Sequence, residues 1–446
     1  MRRAWLAGVP VAAALLGLTG FDRPAPRPLP LSARVVVHRP LLGMVTAGDS
    51  GPTRLVRVDP LRLRPRPGKS LTVGTAGSWS YSPDGELLAV AARRDRTSDR
   101  LRFVDVRRMR IVPPALSVGA IVVGIAWVGP SRLILVTQNC CMGENGLVVV
   151  DPVARRVVAR APLPERVIAV GRAGSRVVLL EAPGDSIGTA SLAIVAVDGG
   201  MHTVSLDRIA AGSDWPDNGE ATPIGRWVLP GLAVDPTGHA YVVGADRVVA
   251  QVDLDSAEVR YHELSRPSSV LERLGRWLEP DAVAKGVDGP TRRARWLGDG
   301  LIAVTGDDQT AFVDGQGELH ASGRPSGLEI VDVRSWTTRL LDRGADAAVE
   351  ADGLLLATGS SWSADPAAQA RSGMGLAAYG SDGAARFRLF GDSAAWVDFV
   401  VAGRAYVGVA DERPVRVVDL ASGRQIGQRV DALPWPLLGD ASPFWG

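Results

Sequence analysis

The chain has 446 residues, of which 46% are hydrophobic and 22% are charged, and its formal net charge at pH 7 is +2. Such a composition is typical of a folded globular protein, which excludes disorder over most of the chain. The small net charge excludes recognition of nucleic acid through overall charge, and we predict no nucleic-acid partner.

The amino terminus has the pattern of an export signal. The basic stretch MRRAW precedes the apolar run LAGVPVAAALLGLTG, which is shorter than the ~20 residues that a membrane-spanning helix needs. We predict that residues 1–21 are a signal peptide or an N-terminal anchor and that residues 22–33 are a proline-rich tether. The protein is therefore expected to be secreted or extracytoplasmic, and any attachment to a membrane is expected through residues 4–20 alone.

A turn flanked by two strands recurs along the rest of the chain. The stretch SWSYSPDGELLAVA, Ser78 to Ala91, shows the unit: a strand, a Pro-Asp-Gly turn and a second strand rich in aliphatic residues. Comparable turns lie near Pro40, Gly85, Pro130, Gly174, Gly238, Gly300, Gly353 and Gly403. Their spacings are 45, 45, 44, 64, 62, 53 and 50 residues, which indicates one repeated unit with insertions in its later copies.

A third and a fourth strand complete each unit. The third strand ends in Val-Asp or a close variant, as in LRFVDV, LVVVDP and VRVVDL, and a more polar strand follows, as in RRVVAR. An aspartate at this point is expected to accept backbone N–H groups in the turn to the fourth strand. Four short strands in every ~40–50 residues are typical of a β-propeller. We therefore predict an all-β chain whose residues 34–446 form a single β-propeller of about eight, alternatively seven, four-stranded blades.

The unit SYSPDGELLAVA resembles the repeat of the Tol-type periplasmic propellers and of the YVTN-type surface propellers, which belong to the WD-like superfamily. The resemblance covers about residues 34–430. It implies a propeller fold and leaves the function open, because blade motifs specify the fold rather than the activity.

Tryptophan recurs in or beside the first strand of several units, at Trp79, Trp127, Trp227, Trp296 and Trp396. A large flat side chain at this place is expected to pack between neighbouring sheets. Because the first strands of a propeller surround its central channel, Trp79, Trp127, Trp227 and Trp396 are also candidates for binding a partner.

Two insertions interrupt the repeat, over residues 212–225 and 268–290. The first carries Asp214, Asp217 and Glu220, whose carboxylates are either calcium ligands or part of an acidic loop in solvent. The second contains SSVLERLGRWLEP, which predicts a short amphipathic helix near residues 268–280 that covers a propeller surface or binds a partner. Arg292 and Arg293 follow this helix and are candidates for anion binding, the alternative being that both are solvated.

The chain has two cysteines, Cys140 and Cys141, which are adjacent in the loop TQNCCMGENG between a second and a third strand. In an oxidising compartment we expect a vicinal disulfide between them, although adjacent residues lie outside ordinary disulfide geometry. Three interpretations stay open: a rigid turn, a binding or redox site, and two free thiols.

No catalytic residue is predicted. The three Gly-Asp-Ser stretches, at Gly48, Gly184 and Gly391, lie between predicted strands, where these residue types form turns. The leading hypothesis is a monomeric, non-catalytic binding or scaffold module for a protein, peptide or glycan, without a cofactor. The alternative is an extracytoplasmic propeller enzyme, either a quinoprotein-like dehydrogenase or a calcium-dependent, lactonase-like hydrolase. Quinone or calcium is expected only under that alternative.

Overall fold

The computed structural model describes ten segments of the chain, and within them every regular element is a β-strand. These segments are residues 27–31, 39–46, 52–138, 145–214, 226–265, 287–313, 319–363, 372–410, 415–428 and 437–439. The described residues contain no helix with the length and hydropathy that crossing a membrane requires. The helix predicted near residues 268–280 lies outside the described residues.

Seven sets of four antiparallel strands follow one another in the described segments, and we call them blades 1 to 7. Blade 1 contains β3 (Leu71–Tyr81), β4 (Leu87–Arg93), β5 (Asp99–Asp105) and β6 (Arg110–Ser117). Blade 2 contains β7 (Ile121–Trp127), β8 (Leu133–Gln138), β9 (Asn145–Asp151) and β10 (Arg156–Leu163). Blade 3 contains β11 (Arg166–Ala173), β12 (Arg176–Ala182), β13 (Ile187–Ala196) and β14 (Met201–Asp214), which β15 (Arg226–Val228) extends.

The later blades follow the same order, with one additional strand. Blade 4 contains β16 (Gly231–Asp235), β17 (His239–Val243), β18 (Val248–Asp253) and β19 (Val259–Glu263). Blade 5 contains β20 (Val287–Gly298), β21 (Leu301–Val313), β23 (Leu328–Asp332) and β24 (Thr337–Asp342), and β22 (Leu319–Pro325) pairs with the far end of β21. Blade 6 contains β25 (Ala347–Ala351), β26 (Leu354–Ser363), β27 (Ser372–Tyr379) and β28 (Ala385–Leu389). Blade 7 contains β29 (Ala395–Val401), β30 (Arg404–Val409), β31 (Val415–Asp419) and β32 (Arg424–Gln428).

A further group of strands, which we call the closing group, joins the two ends of the chain. In it, β1 (Leu42–Thr46) pairs with β2 (Thr53–Arg57), and β2 pairs with the start of β3. On the other side of β1, Gly43 forms an antiparallel bridge with Leu437, and the Leu438 N–H donates to the Leu42 carbonyl at 3.0 Å. The number of blades stays a prediction, because the structure describes only part of the sheet to which the closing group belongs.

Aliphatic side chains fill the space between successive blades. Within β12, for example, Val177 and Leu179 pack toward blade 2, whereas Val178 and Leu180 pack toward blade 4, because side chains alternate along a strand. Two more clusters join blade 7 to the closing group and the closing group to blade 1. The sheets therefore form a ring in which each packs face to face with its neighbours, which is the architecture of a β-propeller.

The first strands of the blades surround the central channel of this ring. They contact one another in succession, as β3 does with β7, β11 with β16, and β16 with β20. We call the end of the channel at which the first strands begin the entry end. In every blade the turn between the second and third strands lies at this same end, because successive strands are antiparallel.

The aspartate at the end of the third strand has the predicted role. Asp105, for example, accepts the backbone N–H of Arg108 at 2.8 Å, and the left-handed residue Met109 completes the turn. The same pairing of an aspartate with a left-handed residue four positions later recurs at Asp59 and Leu63, Asp151 and Arg155, Asp253 and Ala257, Asp332 and Trp336, and Asp419 and Gly423. The side chain thus stabilises a turn whose backbone otherwise favours glycine.

Part of the predicted tether packs against the ring. Leu29 is 1% exposed and lies in the hydrophobic cluster between blades 5 and 6. Arg27 donates from Nη1 to Asp332 Oδ2 at 2.8 Å. The predicted insertions overlap the strands at their borders, since β14 extends to Asp214 and β20 begins at Val287.

Candidate functional site

A cavity of about 200 Å³ lies at the entry end of blade 3. Its position follows from the register of the sheet, because Arg166 at the start of β11 pairs with Ala182 at the end of β12. The described residues that line the cavity are Arg166, Ile168, Ala182, Pro183, Gly212, Ser213, Trp227 and Leu229.

The wall opposite β11 is formed by the segment that leaves blade 3. Ser213 in β14 pairs with Trp227 in β15, and its Oγ donates to the Gly184 carbonyl at 3.1 Å, which ties β14 to the turn after β12. Leu229 then reaches β20, where its N–H donates to the Pro290 carbonyl at 3.1 Å. The cavity therefore lies between the inner edge of blade 3 and a strand that is anchored to blade 5.

The lining is apolar apart from Arg166 and Ser213. Ile168, Ala182, Pro183 and Leu229 supply aliphatic surface, and Trp227 supplies an aromatic ring. Arg166 is exposed at the mouth, and it has no ion-pair partner within the described part of the chain. The cavity thus combines an apolar interior with one positive charge at its mouth.

A buried carboxyl group lies on the other face of the same sheet. Glu181 pairs with Val167 across β11 and β12, its side chain is fully buried, and it faces blade 2 together with Leu179. Ser191 Oγ donates to Glu181 Oε2 at 3.4 Å, whereas Oε1 has no hydrogen-bond partner among the described residues. Burial, and to a lesser extent the nearby Glu165 carboxylate, raises the pKa of Glu181 to about 7.

The first strands of four blades carry β-bulges near the entry end. Each bulge leaves one additional residue in the innermost strand, and these residues are Gly77, Val123, Ile168 and Asp398. A bulge redirects its side chain relative to the regular strand. Asp398 is the charged residue among these four, and it accepts a hydrogen bond from Trp396 Nε1 at 2.9 Å. Its carboxyl group is accessible to solvent, but the surrounding protein atoms displace much of the bulk water, which raises its pKa to about 6.

The four predicted tryptophans divide into two groups. Trp79 and Trp127 are each 6% exposed and belong to hydrophobic clusters between sheets, as predicted for packing residues. Trp227 lines the cavity, and Trp396 is 44% exposed on β29, with its ring against Gly408 of the next strand. Partner binding through these residues stays a prediction, and the exposed ring of Trp396 and the half-buried ring of Trp227 offer more surface for it than the two buried rings.

Arg292 and Arg293 lie in the innermost strand of blade 5. Arg292 pairs with Asp308 at 2.8 Å between Nη1 and Oδ1, so its charge is already compensated. Arg293 is exposed. Burial raises the pKa of Asp346, and the positive charge of Arg293 offsets part of this rise. Neither arginine lines the cavity of blade 3.

The remaining predicted site residues lie largely outside the described residues. These are Cys140 and Cys141, together with Asp217 and Glu220, while Asp214 contributes its backbone to β14. Among the residues that the structure describes, no three His, Cys, Asp or Glu side chains are grouped closely enough to hold a metal ion.

Sequence reasoning missed the lining residues Arg166, Ile168, Pro183 and Ser213. One signal was present in the neighbouring strand, where Glu181 is the single charged residue within the apolar run VVLLEA. A lone carboxyl in a strand that is buried on both faces marks an unusual environment.

No protein-family model matches the chain, and no curated protein sequence matches it. Among solved structures, the dihydro-heme d1 dehydrogenase NirN in complex with DHE is similar, with a TM-score of 0.51 and 14% identity over 94% of this chain and 78% of that one. Apo AztD from Citrobacter koseri has a TM-score of 0.47 and 11% identity over 90% of this chain and 98% of that one. The β-propeller domain of the Trilobed protease from Pyrococcus furiosus has a TM-score of 0.34 and 11% identity over 75% and 90%. At these identities any likeness concerns the fold alone. The ring of packed four-stranded sheets itself shows that the chain is a β-propeller.

Proposed function

We propose that the protein is an exported, non-catalytic β-propeller that binds a segment of a partner protein in the cavity at the entry end of blade 3. The observation that carries this proposal is the cavity itself, with its apolar lining, Trp227 on one wall and Arg166 at the mouth. Binding sites in proteins are typically concave and mostly apolar, with a few polar groups that orient the ligand.

The chemistry of the lining favours binding over catalysis. Nucleophilic or acid–base catalysis needs a nucleophile and a base within hydrogen-bond reach of each other. Of the described residues that line the cavity, Ser213 has the one hydroxyl group, and it donates to the backbone carbonyl of Gly184 at 3.1 Å. That lining contains no histidine, cysteine or carboxylate that would activate this hydroxyl.

The size and polarity of the cavity favour a protein segment over a glycan. Its volume of about 200 Å³ is below the roughly 300–1,000 Å³ of sites that enclose a complete small-molecule ligand, but it is sufficient for a bulky side chain. A sugar ring would bring several hydroxyl groups into this apolar lining, and each one buried without a partner costs free energy. An inserted aliphatic or aromatic side chain has no such cost.

The proposed location follows from the amino-terminal sequence. A basic stretch, an apolar run and a proline-rich segment precede the ring, so the ring is proposed to act outside the cytoplasm. There the entry end of blade 3 is available to a secreted or surface-exposed partner.

Selection of random peptides displayed on phage tests the proposal. The purified protein serves as bait, and binding of the selected peptides is then measured by fluorescence anisotropy. We expect Trp227→Ala, which removes one wall, and Ile168→Trp, which fills the cavity, to weaken binding at least tenfold. Val153→Trp is the matched control, because Val153 is 76% exposed in a turn of blade 2. Peptides that bind all three variants as tightly as the unaltered protein would contradict the assignment of this cavity.

A further inference from the structure

We infer that the segment bound in this cavity is the carboxyl terminus of the partner, with an apolar last residue in the cavity and its free carboxylate on Arg166. This inference rests on the proposed function and identifies the chemistry of its ligand. It follows from three properties of the cavity, namely its charge, its shape and its polarity.

The charge of the cavity is positive among the lining residues that the structure describes. Arg166 begins β11 and lines the mouth, and it has no ion-pair partner within the described segments. Glu165 precedes Arg166 in the chain, but its carboxylate acts on Glu181, which faces blade 2 on the opposite side of the sheet. An arginine guanidinium matches a carboxylate in a planar, bidentate arrangement, so a carboxylate is the complementary group.

The shape of the cavity requires a ligand that continues beyond it. A small organic acid gains its affinity when most of its surface is buried. Here the lining residue Arg166 is exposed, and Trp227 is only half-buried, so a ligand in the cavity stays partly in solvent. A peptide compensates for this exposure with contacts that extend across the entry end, whereas a free acid does not.

The polarity of the lining distinguishes a carboxylate from a phosphate. Phosphate sites usually combine several cationic groups or a series of backbone N–H donors with little apolar surface. The described lining has one cation and an apolar majority. A terminal leucine, isoleucine, phenylalanine or tryptophan residue supplies both required parts, an apolar side chain and an adjacent carboxylate.

Matched peptides test the inference directly. We would measure fluorescence anisotropy with labelled hexapeptides of the form Gly-Ser-Gly-Ser-Gly-X, where X is Leu, Ile, Phe or Trp, each as the free acid and as the carboxamide. The acid is expected to bind about tenfold to hundredfold more tightly than the amide for at least one X, which is the range for a hydrogen bond to a charged group. The preference should weaken with added salt, because the contact is exposed.

Variants at two arginines assign the effect to Arg166. Arg166→Gln is expected to remove the difference between acid and amide, and Arg166→Lys to retain part of it. Arg156→Gln is the matched control, because Arg156 is exposed at the start of β10, away from the cavity, and we expect it to leave the difference unchanged. Thermal unfolding of each variant establishes that the binding data come from folded protein.

The outcomes separate this inference from the proposed function. Equal binding of acid and amide, with loss of both in Trp227→Ala, would overturn the carboxylate and leave the peptide-binding function in place. Binding of 3-phenylpropionate or indole-3-acetate as tight as that of the hexapeptide acids would overturn the peptide terminus as the ligand. If neither form of any hexapeptide binds and phage selection yields no peptide sensitive to Trp227→Ala, both the inference and the proposed function are wrong.

Discussion

Replacing Glu181 with glutamine is expected to change how the stability of the protein depends on pH. The carboxyl group of Glu181 is fully buried between blades 2 and 3, and Oε1 has no partner among the described residues. Burial raises its pKa from an ordinary value of 4.5 to about 7 in the folded protein. Glutamine has nearly the same shape and still accepts the hydrogen bond from Ser191, but it does not ionise.

The sign and size of the effect follow from the two pKa values. Below pH 4.5 the carboxyl is protonated in both the folded and the unfolded chain, so it causes no pH dependence. As the pH rises from 4.5 to about 7, the unfolded chain loses its proton first, and the free energy of unfolding therefore falls. At about 1.4 kcal/mol for each pH unit between the two pKa values, the full loss above pH 7 is roughly 3 kcal/mol.

Urea denaturation at pH 5, 6, 7 and 8, followed by the fluorescence of the 12 tryptophans, measures this difference. The free energy of unfolding of Glu181→Gln relative to the unaltered protein should rise by about 2.5 kcal/mol between pH 5 and pH 8, because part of the loss has already occurred at pH 5. Other carboxyls with a raised pKa, such as Asp398, are common to both proteins, so the comparison isolates Glu181. Glu86→Gln is the control, because it removes one exposed carboxyl. If the two pH profiles stay parallel, Glu181 is not a buried proton-binding group.

Three further substitutions test the packing of the ring by urea denaturation. Asp99→Ala removes the carboxylate that accepts the Val122 N–H of blade 2 and pairs with Arg93. We expect the free energy of unfolding to fall by about 3–5 kcal/mol, and no measurable loss would contradict the buried pair. Gly359→Ala places a methyl group against the Gly344 carbonyl and should cost about 1–3 kcal/mol; equal stability would mean that the strands lie further apart. Leu438→Ala removes a side chain that is 1% exposed in the closing group, and a loss well below the expected ~2–5 kcal/mol would show that the ends of the ring are not packed together.

The fold was predictable because its signals are local and repeated. An aspartate such as Asp105 ends a third strand, and the turn that it stabilises recurs in five blades and in the closing group, so a single sequence shows the period. The packing role of Trp79 and Trp127 was predictable for the same reason, since both recur at the same place in the first strand of their units. Ring closure by Leu437 was not predictable, because a single antiparallel bridge leaves no pattern in the sequence.

The cavity was not predictable because its lining comes from four separate places in the chain. Residues 166–168, 182–183, 212–213 and 227–229 meet only after β15 crosses from blade 3 to β20. Most of them are apolar, and an apolar residue that lines a cavity has the same sequence pattern as one in the core. Trp227 was identified by its repeat position, and the structure places it in this lining.

The topology also connects the cysteine loop to the cavity. Cys140 and Cys141 lie outside the described residues, but the two ends of their loop, Gln138 and Asn145, pair with each other at the entry end of blade 2. Asn145 Nδ2 donates at 3.2 Å to the carbonyl of Glu165, the residue that precedes Arg166. The strand that follows the cysteine loop is therefore hydrogen-bonded to the segment that leads into β11, which carries one wall of the cavity.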